Sequence, residues 1–359
     1  MSNSEEASKV MVIGLGPEYN YPNNINKWSG KNNTRYASNH GASLISRTLI
    51  KHFNADYVDN FSNIELLNEK YDQCIIAFAT HLTNKRDVSI YTNVIEKLKM
   101  PVHLFSLGVQ DYIGGLNKNW RVHPSMHRLL EIVSNRTKVI GCRGPHTAEL
   151  INRSGIKNVE TIGCPTFYYN LNRDFKIKKN GFKDPAVVFH RTFATGENLH
   201  LLEDVPIVGQ DFLDEVVFCL HSKTDRNFRS CELRLWEKQK NYLKSLKLVQ
   251  NQGIFHFKFK EWFDFIGSRG FVFGPRLHGC IGSMIQGIPA VMTARDLRVR
   301  EMGEMFKVPC LSYDEVEQFE SVKSIYDWAD YSNFNKNYPH LLDNYLSLIK
   351  KNGLTVHSS

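Results

Sequence analysis

Short runs of apolar residues alternate along this chain with stretches in which apolar positions recur at helical spacing. That alternation is the sequence form of an α/β fold with parallel sheets. In the first half the runs predict strands at Lys9–Gly14, Ala55–Val58, Gln73–Thr80, Val102–Leu107, Lys138–Cys142 and Asn158–Ile162. In the second they fall at Ala186–Phe189, Pro206–Val208, Val216–Leu220, Leu246–Val249, Phe271–Gly274, Ala290–Thr293 and Pro309–Leu311. Helices fill the intervals. Thr147–Ser154 reads as a short one closed by Gly155, which can take the left-handed stop, and Tyr338–Lys350 as the last.

After Gly163-Cys164-Pro165 the pattern breaks into a polar, lysine-rich stretch, Asn170–Lys183, and a new strand follows. The break predicts two domains, one over 1–175 and one over 183–335. The helix at 338–352 is expected to cross back and rejoin the first domain. A chain of 359 residues is long enough for two such cores.

Composition adds little to the fold but narrows the partners. No stretch approaches the roughly 20 apolar residues that span a bilayer, and Met1–Lys9 is polar and acidic, without the flanks of a signal peptide. The expectation is a cytoplasmic chain, peripheral at most to the inner face of the membrane. The seven cysteines include no C-x-x-C pair, and several, such as Cys74 and Cys219, sit in apolar runs, so they read as reduced core thiols rather than metal ligands. A formal charge of +8 favours an anionic partner. Its lysines and arginines build no long basic tract, so nucleic acid is not indicated; an anionic small substrate or an acceptor at an anionic surface accounts for the sign.

The chemistry concentrates at strand ends. Phe271-Val272-Phe273-Gly274 runs into Pro275-Arg276-Leu277-His278-Gly279, then a helix with small residues Gly282 and Ser283, then Gly287-Ile288-Pro289 before the next strand. Arg276 and His278 thus lie where open α/β sheets bind ligands and where helix amides favour anions. A second junction of this kind delivers Arg143 just before Gly144-Pro145 and a helix. If the two sheets face one another, Arg143 and Arg276 are placed to hold a carboxylate and a phosphate of one ligand. His278 then suits general acid work, its acidity set between Arg276 and a bound phosphate. Other strand ends nominate His81, Gln110, His190 and His221 as cleft-lining residues. Each of these residues has a bland alternative, a salt-bridged arginine or a capping histidine. The polar, aromatic stretch Pro17–Tyr36, with Tyr21 and Trp28, is a candidate acceptor loop together with Asn39. Gly14-x-Gly16 lacks the third glycine and the acidic partner of a dinucleotide fingerprint, which argues against NAD.

These segments resemble the polysaccharide pyruvyl transferase family. The likeness is carried by the strand ending in Arg276-Leu277-His278, the small residues and Gly287-Ile288-Pro289 after it, and Glu261–Ile266 before it. Ile140-Gly141-Cys142-Arg143, Thr147–Leu150 and Gly155-Ile156 carry it in the first half. Asn39-His40-Gly41 stands where relatives have Asn-x-Gly-Asp, with Ala42 in place of the acid. The resemblance implies two facing Rossmann-like domains, similar to GT-B glycosyltransferases, with phosphoenolpyruvate as co-substrate in the cleft and no cofactor or metal. It implies donor binding by Arg276, Leu277, Gly279 and Arg143, with His278 as acid/base. The expected product is a pyruvate ketal on a hexose of a polysaccharide or lipid-linked glycan precursor, as in capsule or exopolysaccharide synthesis. Two other readings stay open: a GT-B glycosyltransferase that uses a sugar nucleotide, with Glu301 or Glu304 on the ribose, and a non-catalytic glycan-binding protein.

Overall fold

The computed structural model of the chain describes residues 8–18, 39–109, 120–190, 197–211 and 242–357. The strand expected at Val216–Leu220 lies outside these residues, as does Cys219.

Strands β1 (Val10–Gly14), β2 (Asp56–Tyr57), β3 (Gln73–Ala77) and β4 (Val102–Leu104) form a parallel sheet in the order β2-β1-β3-β4. Val10 and Val12 point to one face, against Leu44, Ile45, Leu49 and Phe53 of helix α1 (His40–Phe53). Met11 and Ile13 point to the other, where Ile95 of α3 (Ser89–Lys97) and Leu129 and Val133 of α4 (Pro124–Arg136) cover them. Both faces of β1 are therefore buried, which is why its sequence is apolar throughout rather than alternating. Helix α2 (Ile64–Lys70) carries the chain from β2 to β3. A further parallel pair, β5 (Ile140–Cys142) and β6 (Val159–Thr161), flanks α5 (Pro145–Arg153) and extends this half through a bridge between Leu107 and Cys142.

The second half is a six-stranded sheet in the order β12-β11-β10-β7-β8-β9, parallel throughout. Its strands are β7 (Pro185–Val188), β8 (Ile207–Val208), β9 (Gly253–Ile254), β10 (Phe271–Gly274), β11 (Ala290–Ala294) and β12 (Cys310–Ser312). Helices α6 (Tyr242–Gln252), α7 (Phe259–Gly267), α8 (Leu277–Met284), α9 (Leu297–Phe306), α10 (Tyr313–Val316) and α11 (Val322–Trp328) surround them. The α/β class with parallel sheets is as the sequence predicts.

The short edge strand β9 has no counterpart among the expected strands, and two helices differ from expectation. Leu246–Val249, read as a strand, lies inside α6; Ser245 and Val249 are buried while Lys247 is exposed, a spacing of four that fits a helix face. Its Leu-Lys-Leu-Val stretch mimics the alternation of a strand over only four residues. The terminal helix α12 (Ser332–Lys351) begins six residues before Tyr338 and contains Pro339. Phe334 and Tyr338, buried on one face, hold the first turn in place despite the missing proline amide.

That helix crosses from one half to the other. At its start, the hydroxyl of Tyr331 donates to the carbonyl of Ala290 in β11 at 2.9 Å. Further along, the Tyr345 hydroxyl meets His52 Nδ1 at 2.9 Å, and at the far end Asn352 Oδ1 accepts from the amide of Val139 at 3.0 Å and from Thr137 at 2.9 Å. A continuous apolar cluster runs from β1 and α1 into β10 and α8, so the halves share a core. Cys74, Cys142, Cys164 and Cys280 are buried and Cys310 half-buried, all as free thiols.

Candidate functional site

In a parallel sheet every strand ends at the same edge. Here the carboxyl edges of the two sheets meet: Asn39, at the entry to α1, pairs with Asp211, just past β8, and His40 N–H donates to Gln210 O at 3.2 Å.

On the second sheet, β10 ends at Gly274, whose φ of +134° is the conformation L side chains rarely adopt. A Cβ there would lie 2.6 Å from the carbonyl oxygen of Val188. The glycine lets the chain turn sharply into Arg276, the N-cap of α8, which makes no side-chain cap bond. The guanidinium instead donates from Nε to the Phe189 carbonyl at 3.1 Å and from Nη2 to Asp211 Oδ2 at 3.3 Å. Beyond β11 come Arg295 and Arg298. Asp296 caps α9 and holds Arg298 Nη2 at 3.1 Å, while Arg295 Nη1 lies against the ring of His190 at the end of β7, 3.1 Å from Nδ1. Neither arginine was singled out by the sequence reading, although the strand-end rule that found Arg276 applies equally to β11.

On the first sheet, β5 delivers Arg143. Its side chain is 1% exposed, yet Nε, Nη1 and Nη2 all lack a hydrogen-bond partner among the described residues. Gly108 leaves room for it, since a Cβ there would approach Arg143 Cδ to 2.8 Å. An unpaired guanidinium in so dry a place is costly, and its natural complement is an anion.

The neighbouring rings register that charge. Burial, then Arg86 and Arg143, push His81 well below the usual histidine range. Burial, then Arg143 and Arg298, do the same to His278. His81 stacks on Phe78 at 4.2 Å and its Nδ1 accepts the Ala79 amide at 3.0 Å, so the neutral ring carries its proton on Nε2. Arg298 is itself lowered, by burial first; Asp296 opposes the shift, and Arg143 and Arg276 add to it. The four guanidinium groups of Arg143, Arg276, Arg295 and Arg298 therefore gather around two buried or half-buried carboxylates, Asp211 and Asp296. Such an excess of positive charge fits a multiply charged anion.

His278 sits among them, buried in the first turn of α8. Its Nε2 lies 3.5 Å from the sulfur of Cys164, which follows β6 in the first half, and the Thr166 hydroxyl donates to that sulfur at 3.0 Å. The start of α1 presses on the same histidine: a Cβ at Gly41 would fall 2.6 Å from both His278 Cβ and Gln210 Nε2. Asn39 caps α1 by accepting the Ala42 amide at 2.9 Å, so the alanine at that position serves through its backbone. Sequence reasoning missed Cys164, Gln210 and Asp211, whose proximity to the site arises only from the pairing of distant strand ends.

The remaining nominated residues separate. Leu277 is buried in the core and has only its backbone to offer a ligand; Gly279 lets the helix approach Val188, whose side chain a Cβ would meet at 2.6 Å. Gln110, His221, Tyr21 and Trp28 lie outside the described residues. Glu301, weighed as a ribose ligand, already accepts the His146 amide at 2.6 Å and so caps α5, where Gly144 supplies no side chain. Glu304 is an exposed partner of Arg300. Replacing Glu301 by alanine should lower stability by about 1 kcal/mol, the usual worth of such a cap, read as a shift in the urea midpoint; an unchanged midpoint would show the cap is idle.

A cavity of about 580 Å³ opens at the carboxyl edge of β1 and β2, lined by Tyr57, Asp59, Asn60, Phe61, Ser62 and Tyr91 among others, with no lysine or arginine among the described residues that line it.

Comparison with known proteins bears on this geometry. The model of the polysaccharide pyruvyl transferase family matches residues 39–296, from Asn39 at the mouth of α1 to Asp296 beyond β11. No curated protein sequence matches the chain. Solved structures similar to it include the Anabaena protein HepE in complex with UDP and glucose, at 8% identity and a TM-score of 0.44, over 96% of this chain and 97% of that one. A UDP-N-acetylglucosamine 2-epimerase from Rickettsia bellii is 11% identical, with a TM-score of 0.42 over 96% of each chain.

Proposed function

We propose that this chain, which belongs to the polysaccharide pyruvyl transferase family, moves the pyruvyl group of phosphoenolpyruvate onto two hydroxyls of a hexose, in a polysaccharide or a lipid-linked glycan precursor. The observation that carries this reading is the buried, unpartnered guanidinium of Arg143 facing the second sheet's arginines. Phosphoenolpyruvate brings two anionic groups joined by a short rigid skeleton, which matches a cage supplied from two sides.

In the proposed reaction Arg143 holds one anionic group and Arg276 and Arg298 the other. One acceptor hydroxyl attacks the carbon bearing the phosphate ester while His278 delivers a proton to the methylene carbon, which becomes the methyl group, and the proton of that hydroxyl returns to His278. A second hydroxyl then forms its bond to the same carbon as the phosphate oxygen departs, its proton leaving on the phosphate, which closes the ketal and releases inorganic phosphate. The arginines offset the charge that builds on carboxylate and phosphate. A bound trianion also raises the low proton affinity of His278 toward the range where a general acid works. On the acceptor side, the described lining of the cavity beside β1 and β2 combines aromatic rings with amide, hydroxyl and carboxylate groups, a mixture that suits an uncharged sugar.

The test is phosphate release from phosphoenolpyruvate with galactose-, mannose-, glucosamine- and mannosamine-terminated acceptors. Acceptor-dependent release is expected, falling on the order of 10²- to 10⁴-fold in His278→Ala, the range for loss of a general acid. Release that is absent with every acceptor, together with thermal stabilisation by a sugar nucleotide and none by phosphoenolpyruvate, would overturn the reading.

A further inference from the structure

The contact between Cys164 and His278 joins the two halves of the molecule at the reacting histidine, and no part of the proposed chemistry requires a thiol. We infer that Cys164, with Thr166 behind it, is a positioning residue that decides which nitrogen of His278 carries the proton. The inference rests on the reading of His278 as the proton donor, but its structural part stands apart from the reaction.

Thr166 is fully buried, and its hydroxyl donates to Cys164 Sγ at 3.0 Å. With a lone pair occupied in this way, the thiol has its own hydrogen to give, and His278 Nε2 stands 3.5 Å from the sulfur. An S–H···N bond at that distance makes Nε2 an acceptor. The surrounding guanidinium groups and burial keep the ring neutral, so it holds a single proton. If Nε2 accepts, that proton is on Nδ1, since the one ring contact His278 makes among the described residues is through Nε2. Isolated imidazole side chains lean the other way, toward a proton on Nε2. The Thr166–Cys164 pair would thus hold the less usual tautomer and turn the N–H away from the core; when a bound anion brings a second proton to the ring, the thiol turns its hydrogen aside and accepts from Nε2–H, so that Nδ1–H is the proton given. Because Cys164 and Thr166 come from the segment after β6 while His278 comes from the turn after β10, the tautomer is set only when the two halves are assembled.

The experiment uses the full chain labelled with ¹⁵N-histidine, free of ligand at neutral pH, with the His278 resonances assigned by loss in His278→Gln. Wild type is expected to show Nδ1 as the protonated nitrogen and Nε2 as the bare one. Cys164→Ala should move the population toward the Nε2–H form, and Cys164→Ser, which keeps a donor, should keep the wild-type pattern. In the phosphate-release assay Cys164→Ala should lower kcat on the order of tenfold, the lower part of what general acid catalysis contributes, with the KM for phosphoenolpyruvate unchanged; Cys164→Ser should recover most of it. A protonated Nε2 in wild type, or a tautomer balance untouched by Cys164→Ala, would overturn the inference. If the tautomer behaves as expected but wild type releases no phosphate, the proposed reaction fails and the Cys164 assignment survives.

Discussion

Arg143→Met should make the ligand-free protein more stable and the enzyme inactive. The guanidinium is buried, and its three nitrogens have no hydrogen-bond partner among the described residues, so in the absence of a ligand it contributes desolvation cost. Methionine keeps much of the volume and packs against Gly108 and the strand end without that cost; replacing buried ionic groups by apolar ones stabilises by about 1–4 kcal/mol in other proteins. The same change removes one side of the anion cage, and acceptor-dependent phosphate release should fall roughly 10²- to 10³-fold, as for loss of a preorganised charge-stabilising donor. Stabilisation by added phosphoenolpyruvate should vanish with it. A variant that is less stable than wild type in the absence of ligand would show that Arg143 is a structural residue with a partner of its own, and would remove the observation on which the functional reading stands.

Acid should unfold this protein sooner than its carboxylates alone would dictate. His40, His52 and His103 are buried, and burial is the main reason each is lowered to about 4. In the unfolded chain the same rings titrate near 6.5. Between those values the unfolded chain holds more protons than the folded one, so stability is fully present above about 6.5 and is lost as the pH falls toward about 4. Each ring contributes a slope of about 1.4 kcal/mol per pH unit in that window. From pH 7 to pH 5 three rings together remove roughly 5 kcal/mol, and His81 and His278, also lowered, add to the loss. Urea denaturation at pH 7, 6 and 5 measures this; midpoints that stay level across the series would mean the rings are solvated or protonated in the fold.

The features legible in the sequence were those written in consecutive residues. Phe271–Phe273 is apolar at every position and followed by glycine, proline and arginine, so the strand, its sharp end and the functional group it delivers are read off a single window. Arg143 was legible for the same reason. Leu246–Val249 misled because four residues are too few to separate a period of two from one of 3.6, and the helix around them is recognisable only from Tyr242 onward. Arg298, Cys164 and the pair Gln210 and Asp211 belong to three different strand ends, and it is the strand order of the sheets that brings them to one place. Glu301 shows the converse: its charge and position made it a plausible ligand residue, but the amide of His146 reaches it first.

The last helix has a consequence for how the protein is made. His52, Thr137 and Val139 find their partners in Tyr345 and Asn352, residues translated long after them. Until then the first sheet has one apolar wall open, with Phe167 and Tyr168 waiting for the aromatic rings of a helix not yet translated. The nascent chain must pass the time needed to add some two hundred residues, at about 5–20 per second, with that wall uncovered, so the first half to be synthesised is among the last to be sealed.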